Sequence, residues 1–274
     1  MRIAIHQART GIDPAANAQS LVAAVKEAAR GDAAILFTPE MSGLLDRDRE
    51  RSAPKLKSES DDIVLAAMRE AAAENGIWIA LGSLALAGER DDGRLVNRSF
   101  VVDDKGAVRA RYDKIHLFDV DLPTGESWRE SASYAPGEQA VMAPGPEGAI
   151  GLSICYDLRF PDLYRTLSDA GATILSVPAA FTVPTGDAHW HVLLRARAIE
   201  AGLFVVAAAQ AGRHEDGRET YGHSLVVDPW GRVLLDMKDE VGVGFADLDM
   251  AEIDSVRSRL PAIRHRRPIP AIAP

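Results

Sequence analysis

The chain alternates short, apolar, β-rich runs with helix-patterned segments, does so twice, and follows each round with a hairpin. In the first round Arg2–Gln7, Ala33–Phe37 and Ile77–Gly82 read as strands, while the segments around Asn17–Arg30 and Asp61–Glu74 read as helices. Asn97–Asp103 and Val108–Tyr112 come next, joined by the turn-forming Asp103-Asp-Lys-Gly106, which specifies a hairpin. The second round has helices at Pro161–Ala170 and about Asp187–Ala201, and strands at Thr173–Val177 and Leu203–Ala209. Its hairpin pairs Tyr221–Val227 with Arg232–Met237 around Asp228-Pro-Trp-Gly231; a strand Val241–Leu248 and a helix about Met250–Leu260 follow. Strand–helix–strand units demand parallel pairing and hairpins demand antiparallel pairing, so the sheets are mixed. Strands apolar on both faces need cover on both sides. The expectation is an α/β fold in which two mixed β-sheets pack face to face with helices outside, a four-layer α-β-β-α sandwich.

No Pro/Ser/Gly-rich linker or low-complexity tract divides the 274 residues, so the chain reads as a single domain over 1–274, with a C-terminal arm from about 261 to 274. Hydrophobic residues at 47% and charged residues at 26% supply a core and argue against disorder. Apolar stretches such as Ala201–Ala209 are far shorter than a bilayer span, and Met1–Gln7 opens like a strand rather than a signal peptide. A soluble, cytoplasmic protein is expected. The net charge of -9 disfavours nucleic acid or an anionic membrane as a partner. Arg264-His-Arg-Arg267 is a local exception, read as a solvated or subunit-bridging arm.

The single cysteine permits no intramolecular disulfide, which fits a reducing compartment. Cys155 ends the apolar run Gly148–Ile154 and is followed at once by Tyr156-Asp-Leu-Arg-Phe-Pro161. A thiol where a buried strand gives way to polar residues is held from behind and open in front, as a nucleophile requires; on spacing alone it is equally a small core hydrophobe. Glu40 stands just beyond Ile35-Leu-Phe-Thr-Pro39, a strand exit made rigid by proline, and Lys114 follows the strand Val108–Tyr112. Taken singly, each reads as readily as surface charge.

Together, Phe37-Thr-Pro-Glu40, Tyr112-Asp-Lys-Ile-His-Leu-Phe-Asp119, Gly151-Leu-Ser-Ile-Cys-Tyr-Asp-Leu-Arg-Phe-Pro161 and His189-Trp190 with Leu194–Glu200 resemble the Glu, Lys and Cys signatures of the nitrilase superfamily of carbon–nitrogen hydrolases, in the family's order. The likeness is strongest to the Nit branch. Ala207–His214, Tyr221-Gly-His-Ser224, Val227–Gly231 and His265-Arg-Arg-Pro268 look more like amidases of deaminated glutathione than like ω-amidases. The resemblance implies a thioester mechanism that needs no cofactor. In it Cys155 is the nucleophile, Glu40 the general base, its pKa raised by desolvation, and Lys114 with the Tyr156 N–H the oxyanion donors. Glu130 matches a second family glutamate that would orient Lys114. The implied substrate is a small amide bearing a carboxylate. The foremost case is deaminated glutathione, split to 2-oxoglutarate and cysteinylglycine; 2-oxoglutaramate, nitriles and N-carbamoyl amino acids are the alternatives. Homodimers or larger homo-oligomers are also implied, with the C-terminal arm crossing to a neighbour.

Arg159, four residues past the cysteine, fits a substrate carboxylate and equally a salt bridge within the fold; His189 is a second candidate contact. Arg195 and Arg197 cannot share a helical face, so at most one points to the substrate. His191 stands where Nit relatives usually carry Glu. A metal site built on His189 and His191 is not expected, because residues two apart on a helix face about 200° away from each other, and no carboxylate set is evident to complete it.

Overall fold

A computed structural model describes residues 1–88, 90–121, 125 and 127–269, so residues 270–274 of the expected arm lie outside the described residues. In chain order the first half holds β1 (Arg2–Gln7), α1 (Pro14–Arg30), β2 (Ile35–Phe37), the short α2 (Arg49–Ser52), α3 (Ile63–Asn75), β3 (Trp78–Leu86), β4 (Val96–Val102) and β5 (Val108–Asp113). A small antiparallel pair, β6 (Asp119–Asp121) and β7 (Ser127–Arg129), follows β5. The second half holds β8 (Met142–Gly145), β9 (Gly148–Leu152), α4 (Pro161–Asp169), β10 (Ile174–Ser176), α5 (Val183–Ala201), β11 (Phe204–Ala207), β12 (Ala211–Arg213), β13 (Glu219–Tyr221), β14 (Leu225–Val227), β15 (Val233–Asp236), β16 (Gly242–Asp247) and α6 (Ala251–Arg259).

Two six-stranded mixed sheets result, in the orders β16-β1-β2-β3-β4-β5 and β15-β14-β11-β10-β9-β8. Each has a parallel trio, β1-β2-β3 or β9-β10-β11, with antiparallel strands on both flanks. The strand Val241–Leu248, which the sequence left without a partner, returns to the first sheet and pairs with β1, Arg2 opposite Asp247. As the outer strand of the parallel trio, β1 offers a hydrogen-bonding edge that β16 takes, and no local pattern names that pairing.

Side-chain alternation along the strands builds the layers. Ile3, Ile5, Ile35 and Phe37 face a core shared with Ile150, Leu152, Ile174 and Val205 of the second sheet. Ala4, Leu36, Ile79 and Leu81 face outward onto α1 and α3, meeting Leu21, Val25, Leu65 and Met68. Sheet-on-sheet packing with helices outside is the expected four-layer sandwich.

The helices carry their own boundaries. Asp13 caps α1 by accepting from the Ala15 N–H, with Pro14 in the first turn, so the helix starts before the Asn17 expected from hydrophobic period alone. Asp62 caps α3 through the Val64 and Leu65 N–H groups, and Gly76 at φ 62° ends it. Helix α5 begins at Val183, with Pro184 in its first turn, rather than near Asp187. Residues 183–188 are therefore helical. Among the described residues no helix is long and apolar enough to cross a membrane.

Candidate active site

Glu40, Lys114, Glu130, Cys155, Tyr156 and Arg159 line one cavity of about 550 Å³. Glu40, Lys114, Glu130 and the turn Cys155–Arg159 arrive from four separate segments, so the convergence is a property of the tertiary fold.

Glu40 leaves β2 through Thr38-Pro39, and that exit is clamped. The Gly82 N–H donates to Thr38 Oγ1 at 3.0 Å, and the Met41 N–H donates to Ser83 Oγ at 2.9 Å. Gly82 is required here by close approach: a Cβ on it would stand 2.1 Å from the Thr38 carbonyl oxygen. The carboxylate is buried and fully engaged. Its Oε1 accepts from Lys114 Nζ and from Asn97 Nδ2, both at 2.9 Å, and its Oε2 accepts from the Ala180 N–H at 2.9 Å.

Lys114, just past β5, is 2% exposed and donates at 3.0 and 2.9 Å to the two carboxylate oxygens of Glu130, as well as to Glu40. Glu130 is oriented in turn by the Phe118 N–H, which donates to its Oε2 at 2.7 Å. Such a lysine survives burial only because two carboxylates surround it.

Cys155 opens a short 3₁₀ turn, Cys155–Arg159, with φ 50°, a left-handed conformation costly for a non-glycine residue. Its N–H is tied to the Pro178 carbonyl at 2.8 Å, and its thiol stands near enough to the Glu40 carboxylate to feel its charge. That strain puts the sulfur at the cavity wall and leaves the next N–H, of Tyr156, without an acceptor among the described residues. The turn is pinned by Asp157, fully buried, whose carboxylate accepts from Tyr112 Oη at 2.7 Å, the Ile154 N–H at 2.8 Å and the His116 N–H at 3.0 Å. One side chain thus binds the cysteine turn to the lysine loop.

The charges follow from these contacts. Burial alone would push the Glu40 carboxyl up, but the Lys114 ammonium, helped by the thiol and Asn97, holds it below the usual carboxylate value. This reverses the raised pKa that the sequence argument expected. Desolvation acts as expected, but an ammonium in direct contact outweighs it. Burial would lower Lys114, yet Glu130 and Glu40 raise it well above the ordinary lysine value. Burial and the Glu40 charge push the Cys155 thiol up, against Lys114. The resting site holds thiol, carboxylate and ammonium.

Asn97 and Asp157 are the site members that sequence reasoning missed. Asp157 lay inside a recognised motif, but nothing local says that its carboxylate turns inward. Asn97 sits in an ordinary hairpin strand, and only the fold brings its amide to Glu40. Among the described residues Arg159 has no carboxylate partner; its guanidinium lies over Tyr156 and Phe181 and meets His189 Nδ1 at 3.3 Å. His189 itself is exposed on α5 and does not line the cavity. Arg195 and Arg197 both serve the scaffold, donating to the carbonyls of Gly231 and Leu158.

Comparison with known proteins agrees with this geometry. Residues 2–258 match the carbon–nitrogen hydrolase family, and the chain belongs to that family. Deaminated glutathione amidase of Bos taurus is 40% identical over 271 residues, covering 97% of this chain and 82% of the relative. Among solved structures, the NitFhit protein of C. elegans matches with a TM-score of 0.90 at 37% identity over 97% of this chain, which spans 65% of that longer protein. Saccharomyces cerevisiae Nit3, a member of branch 10 of the nitrilase superfamily, matches with a TM-score of 0.85 at 26% identity over 95% of this chain and 94% of Nit3. The sandwich is the nitrilase fold.

Proposed function

We propose that the protein is an amidase that hydrolyses deaminated glutathione to 2-oxoglutarate and cysteinylglycine through a thioester on Cys155. The observation that carries the chemistry is the meeting of thiol, carboxylate and ammonium in one cavity. Attack of sulfur on the amide carbon transfers the thiol proton to Glu40, so no free thiolate need accumulate. Lys114 and the Tyr156 N–H hold the oxyanion; the amine of cysteinylglycine leaves with the proton that Glu40 received. Water, deprotonated by Glu40, then cleaves the 2-oxoglutaryl thioester and frees the thiol. Glu130 keeps Lys114 charged and aimed throughout.

The substrate reading rests on the names of the relatives and on the cavity's charge. Deaminated glutathione carries a carboxylate at each end, and the cavity is lined by Arg47, Arg49, Arg129, Arg159 and Arg218. Of these, Arg129 and Arg218 are paired with Asp121 and Asp216, while the guanidiniums of Arg47, Arg49 and Arg159 have no carboxylate partner among the described residues, Arg47 donating to the Asp216 carbonyl instead, which leaves enough guanidiniums for a dianion. The smaller monoanion 2-oxoglutaramate would use one. The deciding experiment measures kcat/KM for both compounds with one preparation. A preference of at least about tenfold for deaminated glutathione is expected; equal or reversed values would make it an ω-amidase. Absence of turnover together with no acyl adduct on Cys155 would remove the amidase reading itself.

The same reading includes a homo-oligomer, supported by exposed Val192, Ile199, Trp230 and Leu260. Light scattering on the full chain tests it, and a monomer at micromolar concentration would oppose it. It also includes a cytoplasmic setting, since the nucleophile must stay a free thiol.

A further inference from the structure

Away from the catalytic cavity, three side chains from separate elements converge: His191 on α5, His223 just before β14, and Asp236 at the end of β15. His191 Nε2 lies 3.1 Å from Asp236 Oδ2, and His223 Nδ1 lies 2.9 and 3.2 Å from the two Asp236 oxygens. One ligand atom from each residue lies within 4.8 Å of the other two. Four-coordinate zinc holds nitrogen and oxygen at about 2.0–2.2 Å, which sets neighbouring ligand atoms about 3.3–3.6 Å apart. The His–Asp spacings are close to that already, and the two imidazole nitrogens, within 4.8 Å of each other, would draw together on the ion. The amidase chemistry uses none of the three. His191 finds its companions not in His189, its neighbour on the helix, but across the fold.

The cluster is built rather than incidental. His223 is held at φ 55°, a strained conformation for a residue with a side chain. Its carbonyl accepts the Trp190 indole N–H at 2.8 Å, and its own N–H donates to the Lys238 carbonyl at 2.5 Å. The Lys238 N–H in turn donates to Asp236 Oδ1 at 2.9 Å. The Tyr221 ring stacks on His223, with centroids 4.5 Å apart at 21°, and His191 stands edge-on to both. Among the described residues no lysine or arginine pairs with Asp236. All three ligands are half-buried, so an ion could enter from solvent.

We propose that His191, His223 and Asp236 form a binding site for one divalent transition-metal ion of the zinc class, with a fourth position open to water. Two imidazoles and one carboxylate suit Zn2+, Co2+ or Ni2+ rather than Mg2+ or Ca2+. The ion ties α5 to the β14–β15 hairpin. Because Thr185 on α5 and Thr220 next to Tyr221 line the catalytic cavity, and Gly186 packs directly against Tyr221, the ion stiffens one cavity wall.

The test uses the full chain carrying Cys155→Ala, so that the catalytic thiol cannot hold the metal. Titration with Co2+, followed by its visible d–d absorption, and calorimetry with Zn2+ should each report one equivalent per chain. His191→Gln and Asp236→Asn in that background should weaken binding at least about tenfold, since each removes one of three bonds, whereas His265→Gln should leave it unchanged. Zinc should raise the Tm of the parent and not that of the two ligand variants. Absence of stoichiometric binding in the parent, or binding that survives both ligand substitutions, would overturn the proposal.

Discussion

The two sheets are the same construction used for opposite purposes. Their registers align Ile3 with Ile150 and Ile35 with Ile174, because each pair holds the same place between neighbouring parallel strands. Five residues further on, Glu40 at the exit of β2 corresponds to Ala179 after β10, each preceded by a proline, and Cys155 after β9 corresponds to Ala8 after β1. The first sheet thus presents acid and alanine, the second alanine and thiol. Where the second sheet has its alanines, its backbone serves the site: Pro178 accepts the Cys155 N–H, and Ala180 donates to Glu40. One sheet alone would carry a carboxylate without a thiol or a thiol without a carboxylate.

This comparison can be broken most severely at its two reactive ends. Cys155→Ala and Glu40→Gln should each lower kcat/KM by more than about a thousandfold, and the double variant should be little worse than either, because the two act as a unit. In Glu40→Gln the thiol loses the adjacent negative charge but keeps Lys114, so its alkylation by iodoacetamide should shift to lower pH. A profile that stays put or moves upward would mean that Glu40 does not control the sulfur.

A second test concerns the ammonium that the first sheet brings. Glu40 ionises more readily folded than unfolded, so its contribution to stability is present above the ordinary carboxylate value and is lost as pH falls through its depressed folded pKa. In Lys114→Met, burial, the largest influence on Glu40, is opposed only by the neutral donors around it and raises the folded pKa. Stability contributed by Glu40 should then fall as pH rises through the ordinary carboxylate range. Denaturant titrations across mildly acidic pH report the sign of that slope, and an unchanged sign would refute the charge assignment.

Smaller effects separate the two sheets at a shared position. Gly82, four residues beyond Trp78, corresponds to Ala208, four beyond Phe204. Gly82→Ala should cost about 1–3 kcal/mol by overpacking against Thr38 and should depress activity by displacing Glu40. Ala208→Gly should cost about 1 kcal/mol or less and leave kcat intact, as urea unfolding and steady-state kinetics would show. The mildest change is at the rim. Arg159→Gln should raise KM about tenfold with kcat little altered if the guanidinium binds substrate, and equal losses in both parameters would assign it to the scaffold instead.

Much of this was legible without coordinates. Period-two and helical patterning and the turn residues dictate the strand–helix alternation, and the reactive residue types stand at strand exits that a reader can locate. Motif resemblance singled out Glu40, Lys114, Glu130 and Cys155 because short-range context carries those signatures. It could not reveal Asn97 or the inward turn of Asp157, since their roles depend on partners dozens of residues away. It also took the wrong sign for the Glu40 pKa, because that sign is decided by an ammonium at 2.9 Å, and distance is not a sequence property.

The amino-acid order by itself determined the kind of layers this protein builds and the chemical groups available at their edges, because propensity, capping and hydrophobic period are local. Tertiary structure alone decided that β16 closes the first sheet, that acid, amine and thiol share one cavity, and that His191 meets His223 and Asp236. Each of these is a long-range contact made by packing two sheets face to face, and electrostatic and coordination energies depend on the separations that such packing imposes.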